Sequence, residues 1–408
     1  VTGENTIKCA ATPPSYQLFI GDVMRIGFLS TDWGDHIEGQ PGGCTNVRMM
    51  LPAHNLNQIG HETMVGEIGW KDGEGFVAVK PYERLKAGRI GVIKNYDWCF
   101  DKLDVVILKL FMHKDAPKYI REARKLGQTV IIDTDDHFEQ LPEDNLAFIT
   151  TDPEKFPDNN RAHLIATYSA ADGIIASTKF LEKRMLQYND NVYIVPNSLD
   201  PRSFMYRIDL SGSKPTIGWV GIMMWRVNDL IEVSAPLKTV IEQNDLRFHH
   251  SGIMLDRPKW AAEALNIDPD KITGYTGARP EYYGNLFMPM DIGIVPLHPS
   301  PFNEAKSNLK GLEYALSGVP FIASNTQEYR DLADAGAGRV AKNNKEWLKN
   351  LKQLLDPEVR EFERQKNYKT VAEKYNIFII KYKWSEAIEL IDIKAKESKK
   401  EKIPLLKV

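Results

Sequence analysis

The chain is 408 residues long, enough for two ordinary domains and an ample core. Hydrophobic residues make up 43% and charged residues 26%, and the formal net charge of -3 argues against a general electrostatic nucleic-acid binder. Three scattered cysteines (Cys9, Cys44 and Cys99) form no Cys-x-x-Cys pair or metal spacing, which points to a reducing cytosol, and no apolar run approaches the ~20 residues of a membrane span.

Residues 1–23 lack a basic start followed by a long apolar core, so they read as an extension rather than a secretion signal. MRIGFLS, from Met24, reads as a short buried strand. After a polar loop, Val47, Met50, Leu51, Leu56 and Ile59 give a helix-like pattern that Pro52 interrupts. Gly60-His61 ends it, and a second strand begins near Thr63, completing a first βαβ unit of a parallel sheet. Gly42-Gly43 lies between that strand and helix, where glycine lets the backbone approach a ligand and helix N–H groups can face a phosphate. A Gly-Gly pair is also an ordinary loop feature.

The next strand is predicted over 103–110 and a helix over 116–126, with Lys118, Arg121, Arg124 and Lys125 on its wet side. A strand over 129–133 leads into Asp133-Thr134-Asp135-Asp136-His137. Ligands of open α/β sheets bind at the carboxyl ends of strands, so this cluster is a candidate site; the alternative is a turn rich in helix-capping aspartates. Asp133 and Asp135 form an Asp-x-Asp pair whose oxygens suit Mg²⁺ or Mn²⁺, but two acids are a weak motif and no essential metal is expected. His137 and His113 are candidate bases without a partner at fixed spacing.

Strands follow at 171–176 and 192–195, with a helix over 179–188 between them and Pro196-Asn197-Ser198-Leu199-Asp200 after them. The polar stretch 201–214 is the expected linker. A second sheet opens with the strand 216–220, which ends at Gly221; Arg226 follows, and its fork suits a phosphate, although a surface arginine at a helix start is the bland alternative. Strands over 246–250 and 291–296 flank a short helix over 282–288.

The most informative stretch is 302–324. Read as a helix from about Lys306, it carries Lys306, Lys310, Glu313 and Ser317 on one polar stripe and Leu309, Leu312 and Leu316 on an apolar one. Gly318 ends it, Pro320 follows, and Phe321-Ile322-Ala323 is a short buried strand. Asn303 or Ser307 is placed to cap the start, where free N–H groups attract an anion. Two lysines, a hydroxyl and a helix N-terminus then converge on a phosphate, with Glu313 one turn deeper to accept sugar hydroxyls. A solvated amphipathic helix is the alternative. Helices over 347–355, 359–375 and 377–393 close the chain, the last with Tyr382 and Trp384. The tail from Lys394 holds six lysines and two glutamates, which allows a weak contact with an anionic membrane or a nucleic acid; a soluble frayed helix is the preferred reading.

LEYALSGVPFIAS resembles the donor-site segment of retaining glycosyltransferases of the GT-B architecture, the family 4 type (glycosyl transferases group 1). Lys306-Ser307-Asn308-Leu309-Lys310 resembles a subset of these that has Lys-Ser-x-x-Lys before the glutamate. The usual second glutamate, eight positions before Glu313, is here Ala305, with Glu304 one residue off. The resemblance covers roughly 24–390 and implies an α/β fold of two Rossmann-like domains with a cleft between them. It implies an acceptor domain over 24–200, the linker, a nucleotide-sugar-binding domain over 215–375, and a helix from 376 that returns to the first domain before the basic tail.

It further implies that Glu313 holds a ribose, and that Lys306, Ser307, Asn308, Leu309, Gly221, Gly42 and Gly43 line the donor. Arg226 and Lys310 would face the donor phosphates, and Asp135, Asp136 and His137 would orient the acceptor or the sugar. The implied activity is hexosyl or pentosyl transfer from a nucleotide-sugar, with retention, in the cytoplasm and without an essential cofactor. The acceptor stays open among glycan, lipid, protein and modified DNA base. A nucleotide-sugar epimerase of the same fold and a non-enzymatic sugar- or nucleotide-binding protein are the alternatives.

Overall fold

The computed structural model describes residues 22–30, 43–71, 75–84, 90–92, 102–143, 145, 148–151, 160–208, 214–223, 226–253, 259–278 and 280–401. Gly42, most of the 1–23 extension, residues 209–213 of the expected linker and the end of the tail from 402 lie outside the described residues.

Two sheets organise the chain. The first contains β1 (Arg25–Ser30), β2 (Glu62–Lys71), β3 (Gly75–Arg84), β4 (Ile90–Val92), β5 (Val105–Lys109), β6 (Thr129–Thr134), β7 (Gly173–Ala176) and β8 (Val192–Ile194), in the order β4-β3-β2-β1-β5-β6-β7-β8. The second contains β9 (Thr216–Val220), β10 (Arg247–Ile253), β11 (Ile272–Thr276), β12 (Ile292–Val295), β13 (Phe321–Ser324) and β14 (Arg339–Ala341), in the order β11-β10-β9-β12-β13-β14. All pairings in the second sheet are parallel. In the first sheet β2–β3 and β3–β4 are antiparallel, an extension that the sequence reading did not foresee.

Both sheets are covered on both faces, which explains why their strands read as continuous apolar runs rather than alternating ones. Along β1, Ile26 and Phe28 point into one core cluster and Leu29 into another. The second sheet likewise separates Ile217, Ile292, Ile294 and Ile322 on one face from Val220, Val295, Phe321 and Ala323 on the other.

The first helical run contains a π turn, Asn46–Met50, followed by Leu51–Asn57 with Pro52 near its start. Proline lacks the N–H that an α turn needs and crowds the carbonyl four residues back, so a widened turn before Pro52 relieves both problems.

The C-terminal helix, Ile377–Glu401, packs against the first sheet. Ile380, Trp384, Ile388 and Ile391 share one face of it and join the cluster of Ile26 and Phe28. At Gly173 in β7 an added Cβ would lie 2.7 Å from the Ile391 side chain, so glycine there sets how closely the helix lies on the sheet. The crossing itself is pinned by backbone bonds from Leu199 N to Tyr375 O and from Ile377 N to Leu199 O. No helix of the described residues is long and apolar enough to cross a membrane.

Candidate functional site

The strand order reverses between β1 and β5 in the first sheet and between β9 and β12 in the second. Open α/β sheets bind ligands outside the carboxyl ends of strands at such points. A cleft of about 360 Å³ lies there, lined by Pro142, Glu143 and Asn145 from the first domain and by residues of the second that include Arg226, Asp229, His298, Ser300, Asn303 and Lys306. A wider hollow of about 510 Å³ sits at the amino ends of β9, β10 and β11, where Asp245 already takes Lys214 and Lys271. The smaller cleft is the candidate site, because only it joins both sheets at their carboxyl ends.

The 302–324 stretch forms two helices rather than one. Ser300 caps Pro301–Glu304 by accepting from Asn303 N at 3.1 Å, and the next helix spans Leu309–Leu316. Lys306 and Ser307 therefore lie in the connection and not on the stripe that contains Lys310. Lys306 Nζ reaches 2.7 Å from Asp136 Oδ1 in the first domain and sits over the Phe302 ring. Ser307 Oγ accepts from Asn197 Nδ2 at 2.8 Å, also across the domains. Asn308 occupies the cap position of the second helix, and Leu309 is half-buried against the second domain's core.

Lys310 Nζ turns to Glu313 Oε2 at 2.6 Å and to the Tyr283 hydroxyl at 2.6 Å, and Tyr283 in turn donates to Glu313 Oε2 at 3.2 Å. Burial, together with the neighbouring Glu313 carboxylate, pushes the Tyr283 hydroxyl well above its ordinary pKa, which keeps it a donor. Glu313 is buried, so its stripe is internal and not solvated. Ala305 is packed among Ala176 and Leu181 and presents only its carbonyl, to Thr178 Oγ1.

In the first domain each carboxylate of the 133–136 turn has a cation. Arg48, on the π turn, is 1% exposed; it grips Asp133 through two of its nitrogens and donates to Val195 O at 2.8 Å and Asn197 Oδ1 at 3.1 Å. Lys109 Nζ lies 2.8 Å from Asp135 Oδ1. Burial pushes the Asp135 carboxyl up, but Lys109 beside it more than offsets that and holds it below its ordinary value. Asp136 pairs with Lys306, as described.

His137 is buried, its Nε2 4.0 Å from Glu139 Oε2 and its ring 5.5 Å from that of Phe180, and burial pushes its pKa down. His113 Nδ1 accepts from Asp115 N. Gly43 opens the helical run, with open space around the position a Cβ would take. Among the described residues no group of three or more His, Cys, Asp or Glu side chains could hold a metal ion.

Across the cleft, Arg226 stands at the start of the helix Val227–Ile231, and its guanidinium has no hydrogen-bond partner among the described residues. Gly221 ends β9; its carbonyl accepts from His250 Nε2 at 2.8 Å, and burial lowers the His250 pKa, which leaves the imidazole neutral for that role.

Asp229 is 5% exposed. Its Oδ1 takes two bonds, from His298 N and Asn303 Nδ2, both at 2.7 Å. Burial lifts its carboxyl above the ordinary range, with Arg226 opposing the rise. The sequence reading gave Asp229 no role, nor Arg48, Asn197 or Tyr283. Their partners lie 69, 85, 110 and 30 residues away, and no local pattern announces them.

No protein-family model and no curated protein sequence matches the chain. Its fold is similar to that of solved structures. Sucrose-phosphate synthase from Thermosynechococcus elongatus aligns with a TM-score of 0.62 at 12% identity, over 89% of this chain and 98% of that one. Anabaena HepE in complex with UDP aligns with a TM-score of 0.58 at 13% identity, over 90% and 100%. The lipopolysaccharide outer core galactosyltransferase WaaB aligns with a TM-score of 0.55 at 14% identity, over 90% and 99%. The likeness is one of architecture: two Rossmann-like domains in the GT-B arrangement.

Proposed function

We propose that this chain is a retaining glycosyltransferase of the family 4 type that moves a sugar from a nucleotide-sugar to an acceptor held by the first domain. The observation that carries the reading is Arg226: a guanidinium at a helix start with no hydrogen-bond partner among the described residues, on the cleft at the switch point of the second sheet. Its fork suits a diphosphate, and Lys306 adds a second cation on the same cleft. The chain also shares its architecture with HepE, which was solved with UDP and with UDP-glucose.

In this reading Glu313, backed by Lys310 and Tyr283, accepts from the ribose hydroxyls. Gly221 lets the backbone approach the phosphates, and Gly42 and Gly43 face them from the first domain. Asp135, Asp136 and His137 lie along the acceptor side. As the glycosidic bond to phosphate breaks, negative charge grows on the leaving diphosphate, and Arg226 with Lys310 stabilises it. The leaving phosphate oxygen accepts the proton from the acceptor hydroxyl on the same face of the sugar, so the configuration is retained and no protein base is needed. Catalysis is then mostly positioning and charge stabilisation. Asp133 and Asp135 already hold Arg48 and Lys109, which leaves no carboxylate pair for a metal in this scheme.

A thermal-shift screen against UDP, GDP, ADP and CMP sugars is the test. A ligand at a hundredfold its dissociation constant adds about 2.7 kcal/mol of stability, a readily measured rise in Tm. No shift with any of them rejects the reading; a shift followed by sugar release without an acceptor redirects it to an epimerase.

A further inference from the structure

Asp229 does two things at once. Its Oδ1 pins the loop that follows β12, by taking His298 N and Asn303 Nδ2. Its Oδ2 has no hydrogen-bond partner among the described residues, and the residue lines the interdomain cleft. Of the other carboxylates near the cleft, Asp133 is committed to Arg48, Asp135 to Lys109, Asp136 to Lys306 and Glu313 to Lys310, while Glu143 faces the cleft from the first domain.

The cleft around Asp229 has an unusual mixture of charge. Arg226 and Lys306 disfavour a cation there, and Asp229 with Glu143 disfavours an occupant that is anionic throughout. An occupant that suits both has an anionic group at one end and a neutral, hydroxyl-rich body at the other. Asn303 and Ser300 beside Asp229 add further polar groups of the kind that recognise hydroxyls. At about 360 Å³ the space lies at the small end of the ~300–1,000 Å³ typical of ligand pockets, room for a sugar with its attached phosphate.

We infer that Asp229 binds the hydroxyls of the sugar carried by the donor, with its Oδ2 as acceptor and with Arg226 beside it on the attached phosphate. This rests on the donor reading above. A carboxylate is the strongest hydroxyl acceptor among side chains, and the position eight before Glu313 supplies none here, since Ala305 is packed in the interface and presents only a carbonyl. Asp229 comes from a different helix, and its position is fixed by the loop it pins.

Asp229→Asn separates the two duties. The amide oxygen still accepts from His298 N and Asn303 Nδ2, while the free carboxylate oxygen is lost. Titration calorimetry of wild type and variant with UDP, GDP and ADP, and with the glucose, galactose and N-acetylglucosamine conjugates of each, reads the ratio of conjugate affinity to bare-nucleotide affinity. For the best-bound conjugate that ratio is expected to fall about 10- to 100-fold in the variant, while the bare nucleotide binds as before. An unchanged ratio, or a parallel loss of both affinities, overturns the inference and leaves Asp229 as a loop anchor. Absence of nucleotide binding to the wild type rejects the donor reading itself, and the inference with it. Should Asp229→Asn fail to fold, Asp229→Glu is the second probe: the longer carboxylate enters the space of the sugar, so conjugate affinity falls while nucleotide affinity holds, and unaltered conjugate affinity overturns the inference.

Discussion

The Lys310 ammonium lies 2.6 Å from Glu313 Oε2, three residues further along the same helix, and the Tyr283 hydroxyl bridges the two. A bare pair on an exposed helix face adds only a few tenths of a kcal/mol, but this one is largely buried beneath the cleft. Glu313→Ala leaves Lys310 without its counter-charge and is expected to cost about 1–3 kcal/mol of stability as well as nucleotide-sugar affinity. Lys310→Gln with Glu313→Gln in a double-mutant cycle on urea unfolding should show a coupling of about 0.5–3 kcal/mol. Zero coupling means that the two side chains do not meet.

Arg226, in contrast, has no hydrogen-bond partner for its guanidinium among the described residues. Arg226→Gln is expected to leave the melting curve nearly unchanged and to lower the transfer rate by ~100- to 1000-fold. Lys310→Gln should also lower the rate, and the two losses should fail to add, because both act on one leaving group. Strictly additive rate losses would falsify a shared diphosphate.

Arg48 is the opposite case, a buried guanidinium with every direction of its fork engaged and the Trp384 ring 4.6 Å from its centre. Arg48→Met strands the Asp133 carboxylate in the core and is expected to cost about 3–5 kcal/mol in urea unfolding. Adding Asp133→Leu should recover most of that loss, since well-packed apolar groups often replace a buried ion pair without penalty. If the double variant is as unstable as the single one, the cost lies in the Asn197 contact instead.

Acid stability follows from the buried histidines. Burial pushes His249 down to about 4, and it pushes His137 and His250 below their ordinary value as well. Below the unfolded pKa of about 6.5 the unfolded chain takes up protons that the folded chain refuses, so stability falls as pH drops from there and the His249 part is fully lost near 4. One refused proton contributes at most about 1.4 kcal/mol per pH unit. Melting curves from pH 7 to pH 4 should show this slope, and His249→Asn should flatten it; an identical slope in the variant assigns the acid lability elsewhere.

Chelation is expected to leave transfer intact. Asp133 and Asp135 have Arg48 and Lys109 as counter-charges, and in the proposed reading Arg226 and Lys306 on the cleft serve the diphosphate. Loss of activity in EDTA with recovery in Mn²⁺ is the result that sinks this expectation.

The apolar elements were legible in the sequence because their signal is local. The strand at Thr216–Val220 is read to the residue, and the stripe of Leu309, Leu312 and Leu316 faces the core as its spacing requires. The polar features were legible only as residues, not as partners. Lys306 and Lys310 share a stripe only if one helix holds both. The helix starts at Leu309, so Lys306 swings to Asp136 in the other domain. Asp229 and Arg48 received no role from the sequence. Each is defined by groups brought up by the tertiary fold, and no periodicity encodes that. The antiparallel strands β3 and β4 were missed because β3 runs from Phe76–Val79 into Lys80 and Pro81, which argues against a strand, and β4 is only Ile-Gly-Val.

The return of the last helix also sets an order of events during synthesis. Trp384, Ile388 and Ile391 complete the core beneath β1, yet they leave the ribosome only after the whole second sheet. Multidomain chains usually fold from the N-terminus as they emerge. Here the second sheet, with its own clusters on both faces, is fully translated before the first domain receives its covering helix. Of these two domains the one begun first is thus completed second, and until its covering helix emerges its apolar face is an exposed surface that a chaperone can hold.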